Sequence, residues 1–112
     1  MEPAELQRAP GVDRVDIGWR YLQNGDLRSA EREFEAALER NPGLYPAQAG
    51  AGYVAVARDD HEEAVASFDA ALRGDAGYLP ALLGRGRSLL ALGRDAEALT
   101  ALEAALAADP GL

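Results

Sequence analysis

The sequence predicts an all-α protein built from three stacked helical hairpins, and three observations predict it. Ala (24) and Leu (16) fill 40 of the 112 positions whereas Val, Ile and Thr together supply 7, a balance that favours helix and starves a sheet. The sequence repeats with a period of 34 residues. Each period holds two stretches of apolar residues at helical spacing, parted by a short polar break.

Four columns carry the period in triplicate: Gly18, Gly52 and Gly86; Ala30, Ala64 and Ala98; Phe34, Phe68 and Leu102; Ala37, Ala71 and Ala105. The connectors keep the same register, as Asn41-Pro42-Gly43-Leu44, Asp75-Ala76-Gly77-Tyr78 and Asp109-Pro110-Gly111-Leu112. The units are 11–44, 45–78 and 79–112, behind a leader at 1–10.

The first unit opens with a helix over 13–24 that stops at Asn24-Gly25-Asp26, where Gly suits a left-handed cap and Asp starts the next helix. That next helix, 27–40, places Leu27, Ala30, Phe34, Ala37 and Leu38 on one stripe. A third helix over 46–58 ends at Arg58-Asp59-Asp60. Asp60 and Glu63 then have capping-box spacing at the head of the fourth, 61–73, whose stripe is Ala64, Val65, Phe68, Ala71 and Leu72. The fifth spans 80–92 and ends at Leu92-Gly93-Arg94. The sixth, 95–108, carries Ala98, Leu99, Leu102, Ala105 and Leu106. A hairpin with two apolar flanks cannot bury both alone, so neighbours stack and stability comes from contacts between them.

From residue 11 to 112 these columns closely resemble the tetratricopeptide repeat (TPR) family. The resemblance implies a right-handed α-solenoid of antiparallel hairpins in which the small column lets two helices touch and the Ala and Phe columns fill the space to the next repeat. Pro42 and Pro110 close their units, and Tyr21 and Leu89 suit the bulky place on the first helix. The sequence departs from the pattern at Ala76, where Pro is expected; at Ala55, smaller than usual; and at Arg14 and Gln48, in a place often given to Trp or Leu, where Leu82 conforms.

The resemblance also implies that the first helix of each repeat lines a concave groove. Trp19, Tyr53 and Arg87 form one ladder there, with Val15, Ala49 and Leu83 a turn earlier and Leu22, Val56 and Leu90 a turn later. Gly50 and Gly84 interrupt these helices at a cost of about 1 kcal/mol each relative to Ala. The expectation is that they form a floor for a partner's bulky side chain or close backbone between the Trp19 and Tyr53 rings and Arg87. Trp, Tyr and Arg are the types that most often dominate interfaces, and an extended apolar peptide or an amphipathic helix is the expected occupant. The competing reading places Trp19 against the leader and attributes the glycines to tight packing alone. The family's carboxylate clamp, which holds the C-terminal carboxylate of a chaperone peptide, is missing. Its positions hold Val15, Trp19, Gly50, Pro80 and Gly84, which supply no cluster of cations or amides.

Other functions find little support. A net charge of −8 repels nucleic acid, and no apolar run approaches the roughly 20 residues of a membrane span. The absence of Lys excludes Schiff-base chemistry, and the absence of Cys removes thiol nucleophiles and thiolate metal sites. His61, beside Asp59, Asp60, Glu62 and Glu63, could be read as a metal or acid/base cluster, but acidic residues in a first helical turn more simply oppose the helix dipole. The run from Glu31 to Arg40 reads as an exposed charged face. The expected protein is therefore a noncatalytic interaction module without cofactors.

Both ends add expectations. Glu5 to Val12 is similar to Ala37 to Leu44 at an offset of 32, like the tail of a preceding repeat. The opening residues lack the basic-then-apolar order of a signal peptide, which favours a cytoplasmic setting, and an Arg-only, Ala-rich composition suggests a GC-rich bacterial genome. At the other end Leu99, Leu102 and Leu106 have no following helix to cover them. The chain is expected either to belong to a longer array, as part of a larger protein or complex, or to use this edge for self-association and a structural role.

Overall fold

The computed structural model describes residues 10–111. Its six helices are α1 (Val12–Gln23), α2 (Leu27–Arg40), α3 (Tyr45–Ala57), α4 (His61–Gly74), α5 (Leu79–Ala91) and α6 (Asp95–Ala108), each within a residue of the sequence expectation at either end. The repeat-like leader segment lies mostly outside the described residues. No helix among those described is long and apolar enough to cross a membrane.

Local chemistry sets the breaks. Gly25 and Gly93 take left-handed conformations (φ 80° and 77°) between the helices of the first and third hairpins, and Asp59 does so in the second (φ 63°), a conformation that costs a non-glycine residue strain. The Asp26 carboxylate accepts from the Ser29 amide at 3.1 Å. Hydrogen bonding to Ser29, from its side chain first and its amide second, holds the Asp26 carboxyl below the usual carboxylate value. Asp60 accepts from the Glu63 amide in the same way at 3.3 Å, whereas Arg94 at the third position offers no side-chain cap. Ala76 in place of Pro leaves its connector unchanged: the Tyr78 amide donates to the Asp75 carbonyl at 3.1 Å, as the Leu44 amide donates to Asn41 at 3.0 Å.

The helices pack as hairpins α1/α2, α3/α4 and α5/α6, and α2 and α4 pack on the helix that follows them. Across repeats the backbones of α1 and α3, and of α3 and α5, approach closely, whereas those of α2 and α4, and of α4 and α6, do not. The first helices therefore form the tighter, inner layer and the second helices fan outward. This is an open solenoid, 48 × 31 × 23 Å, and not a closed bundle.

An aromatic ring locks each junction. Phe34 is 1% exposed and Phe68 is fully buried. A Cβ at Gly18 would lie 2.7 Å from the Phe34 ring and one at Gly50, in the next repeat, would overlap it; Gly52 (2.6 Å) and Gly84 hold Phe68 in the same way. Each ring is thus clamped between a glycine of its own hairpin and one of the following hairpin. Charge pairs cross the same junctions: Arg58 with Glu31, Arg94 with Glu62 at 2.8 Å, and Arg85 with Asp69 at 2.6 Å. Within the first hairpin, Arg14 pairs with Glu33 at 3.1 Å. Part of the charged face on α2 therefore links helices as well as facing water.

Candidate functional site

The inner layer carries an apolar cleft of about 430 Å³, lined by Trp19 of α1, Tyr53 of α3, Tyr78 of the α4–α5 connector, and Leu79, Pro80 and Leu83 of α5. Its wall is held from behind. The Trp19 ring meets Phe34 edge-on at 5.6 Å and lies tilted against Tyr53 at 5.6 Å, and Tyr53 in turn stands edge-on to Phe68 at 4.9 Å. The same two rings that lock the repeat junctions therefore support the cleft aromatics, which places the groove's geometry under the control of the core. Such pairs each contribute about 0.5–1.5 kcal/mol beyond the area they bury.

The Tyr53 hydroxyl donates to the Pro80 carbonyl at 2.6 Å, joining the second and third repeats across the cleft. Burial pushes the Tyr53 phenol above its ordinary pKa, partly opposed by the nearby Arg87 guanidinium. Burial likewise raises Tyr78, whose ring stands edge-on to Tyr45 at 4.8 Å. At neutral pH both phenols are uncharged, and the cleft wall carries no formal charge.

The structure divides the predicted groove residues into four groups. Trp19, Tyr53 and Leu83 line the cleft together. Leu22 and Val56 are half-buried and pack against the first and second core clusters, whereas Arg87 and Leu90 are exposed outside the cleft lining. Val15 (5% exposed), Ala49 (0%), Gly50 and Gly84 are buried. The expectation that the two glycines floor the groove is corrected here: the space they leave is already filled by Phe34 and Phe68. Tyr78, Leu79 and Pro80 are cleft residues that the ladder omits. Pro80 stands in register with Pro46, a column that points to this stretch.

At the far edge, Leu99 and Leu106 are 60% and 50% exposed, while Leu102 is half-buried, its side chain against Gly86. His61 pairs with Asp59 at 3.1 Å, and no group of three His, Asp or Glu side chains among the described residues is placed to hold a metal ion.

Two models of the tetratricopeptide repeat match the sequence, one over residues 15–78 and the other over 55–111. The chain belongs to the tetratricopeptide repeat family. Its fold is similar to the second TPR domain of Spaghetti (RPAP3) bound to the HSP90 peptide SRMEEVD, with a TM-score of 0.85 and 20% identity over 95% of this chain and 98% of that one. It is also similar to the TPR2B domain of yeast Sti1 in complex with an Hsp70 peptide (TM-score 0.83, 20% identity, 91% and 82% covered). A tetratricopeptide repeat protein from Parabacteroides merdae is a third likeness (0.75, 24%, 90% and 41%). At these identities the likeness establishes the TPR solenoid. No curated protein sequence matches the chain.

Proposed function

We propose that this TPR domain is a noncatalytic module that seats a bulky apolar side chain of a peptide or amphipathic helix in its concave cleft. The observation that carries the reading is the cleft itself: six uncharged residues, three of them aromatic and two of those braced from behind by core phenylalanines, line about 430 Å³, in the range of clefts that take ligands, on a chain of net charge −8. Neighbours of similar fold bind HSP90 and HSP70 peptides. The clamp positions here hold Val15, Trp19, Gly50, Pro80 and Gly84, so the ligand is held by an apolar anchor and not by its terminal carboxylate. Arg87, near Tyr53 and outside the cleft lining, then meets a polar or acidic neighbour of that anchor.

A 12-residue peptide of Gly, Ser and Asn with one central Phe tests this reading through the emission of Trp19, the only Trp in the chain. A saturable change with the Phe peptide, absent with its Ala counterpart and lost in Leu83→Asp, is expected. Equal responses to both peptides, or an unaltered response in a folded Leu83→Asp protein, would contradict it. Tyr53→Phe provides a second check, since it keeps the ring and removes only the bond to Pro80.

A further inference from the structure

The three first helices carry an in-register ladder, Trp19, Tyr53 and Arg87, each 34 residues from the next, and their backbones approach closely from α1 to α3 and from α3 to α5. Helices packed in this way lie about 8–10 Å apart. A polyproline II strand turns once in three residues and rises about 9 Å in that turn, so a strand laid across the inner layer sets one face on each first helix in succession. Every third ligand residue then meets a rung of the ladder. An α-helix rises only about 4.5 Å in three residues and falls out of step.

Hydrogen-bonding groups in the cleft favour the same ligand. The Tyr53 hydroxyl is committed to the Pro80 carbonyl at 2.6 Å, and the Tyr78 carbonyl already accepts from the Ala81 and Leu82 amides, both at 3.1 Å. Pro80 has no N–H to offer. What is left is the Trp19 indole N–H, a donor only, and the Tyr78 hydroxyl, neither of which has a hydrogen-bond partner among the described residues. A helical ligand has its carbonyls engaged along its length, and an extended strand of ordinary residues brings as many N–H groups as carbonyls to a wall that offers few acceptors. A proline-rich strand brings free carbonyls and few N–H groups, and its rings pack on aromatic side chains of the kind that line this cleft.

The third rung is charged. On the first helices, Arg14 pairs with Glu33 and Arg85 with Asp69, whereas Arg87 is exposed and forms no ion pair among the described residues. It stands near enough to Tyr53 to oppose the rise in that phenol's pKa. A guanidinium one rung beyond two aromatic rings selects a carboxylate at that point of the ligand.

We infer that the ligand of this groove is a proline-rich segment in the polyproline II conformation, with prolines three residues apart on Trp19 and Tyr53 and an acidic residue three further on at Arg87. The inference rests on the apolar-anchor reading of the cleft and narrows it: proline rings share the space that one bulky side chain would fill, and their spacing gives specificity. The cleft is braced and the ligand is stiff before they meet, so little ordering is lost on binding.

The probe is the peptide Ser-Pro-Pro-Ala-Pro-Pro-Ala-Glu-Ala-Ser, titrated by calorimetry into the 112-residue protein beside a peptide of the reversed sequence, because the strand can run across the ladder in either direction. At least one of the two is expected to bind saturably and to move the NMR signals of the Trp19 indole N–H and Tyr53 together. Alanine in place of its prolines should weaken binding by about tenfold or more. Glutamine in place of its Glu should cost about fivefold, as should Arg87→Glu in the protein, an exposed substitution that circular dichroism can show to be folded, and Arg87→Glu should prefer a peptide with Arg at that place. Trp19→Phe, which keeps a ring and removes the N–H, should also weaken binding. The inference is overturned if neither proline peptide binds, if the alanine counterparts bind equally well, or if binding is indifferent to both the Glu exchange and Arg87→Glu. A response to the Phe-bearing peptide with none to either proline peptide overturns this inference alone, and silence of all three also removes the apolar-anchor reading.

Discussion

The junction between the second and third repeats and the open edge of the third are built from the same columns, yet they differ in one component. At the junction, Phe68 is held by Gly52 of its own hairpin and Gly84 of the next. At the edge, Leu102 rests on Gly86 alone, and Leu99 and Leu106 stay in water. The difference teaches that burial here belongs to the pair of hairpins and not to either one. A ring completes its contacts only when the following helix brings a glycine to it, as expected where stability is a sum over neighbours.

Truncating the two column members should separate the regions most. Phe68→Ala removes a fully buried ring and its support of Tyr53, with an expected loss of about 3–5 kcal/mol, against about 1–2 for Leu102→Ala at its half-covered site; urea denaturation of both variants measures the gap. A smaller contrast lies in the glycines. Gly84→Ala gains about 1 kcal/mol of helix propensity but forces a methyl into a ring with no free side, for an expected net loss of about 1–2 kcal/mol. Gly86→Ala meets the Leu102 Cδ2 at 2.7 Å, and because that side chain can swing toward the open edge the expected change is near zero. Equal losses for the two alanines would break the comparison. The smallest effect belongs to Leu99→Glu, expected to leave stability within about 0.5 kcal/mol of wild type because its site is mostly exposed.

Much of this architecture is legible in the sequence. Periodicity places all six helices, because each stripe of apolar residues has one packing solution at 3.6 residues per turn. Gly25 and Gly93 mark breaks through their left-handed conformations, whereas Asp59 does the same work without the residue type that would announce it. The site is less legible. Spacing shows that Gly50 and Gly84 are small and share a register, but not which neighbour uses the space, and the rings that use it lie 16 residues away in sequence. Trp19, Tyr53 and Leu83 follow from the ladder. Tyr78, Leu79 and Pro80 do not, because they belong to a connector and a helix start that reach the cleft only when the third repeat stacks on the second, where the Tyr53 hydroxyl meets the Pro80 carbonyl.

The central claim is that the inner layer of first helices presents the binding cleft, and NMR mapping of the Phe-bearing peptide tests it most directly. The account predicts that the Trp19 indole N–H and signals of Tyr53, Tyr78 and Leu83 move together along one saturation curve while the outward faces of α2 and α4 stay still. Shifts confined to those outer helices, with the Trp19 signal unmoved, would contradict it.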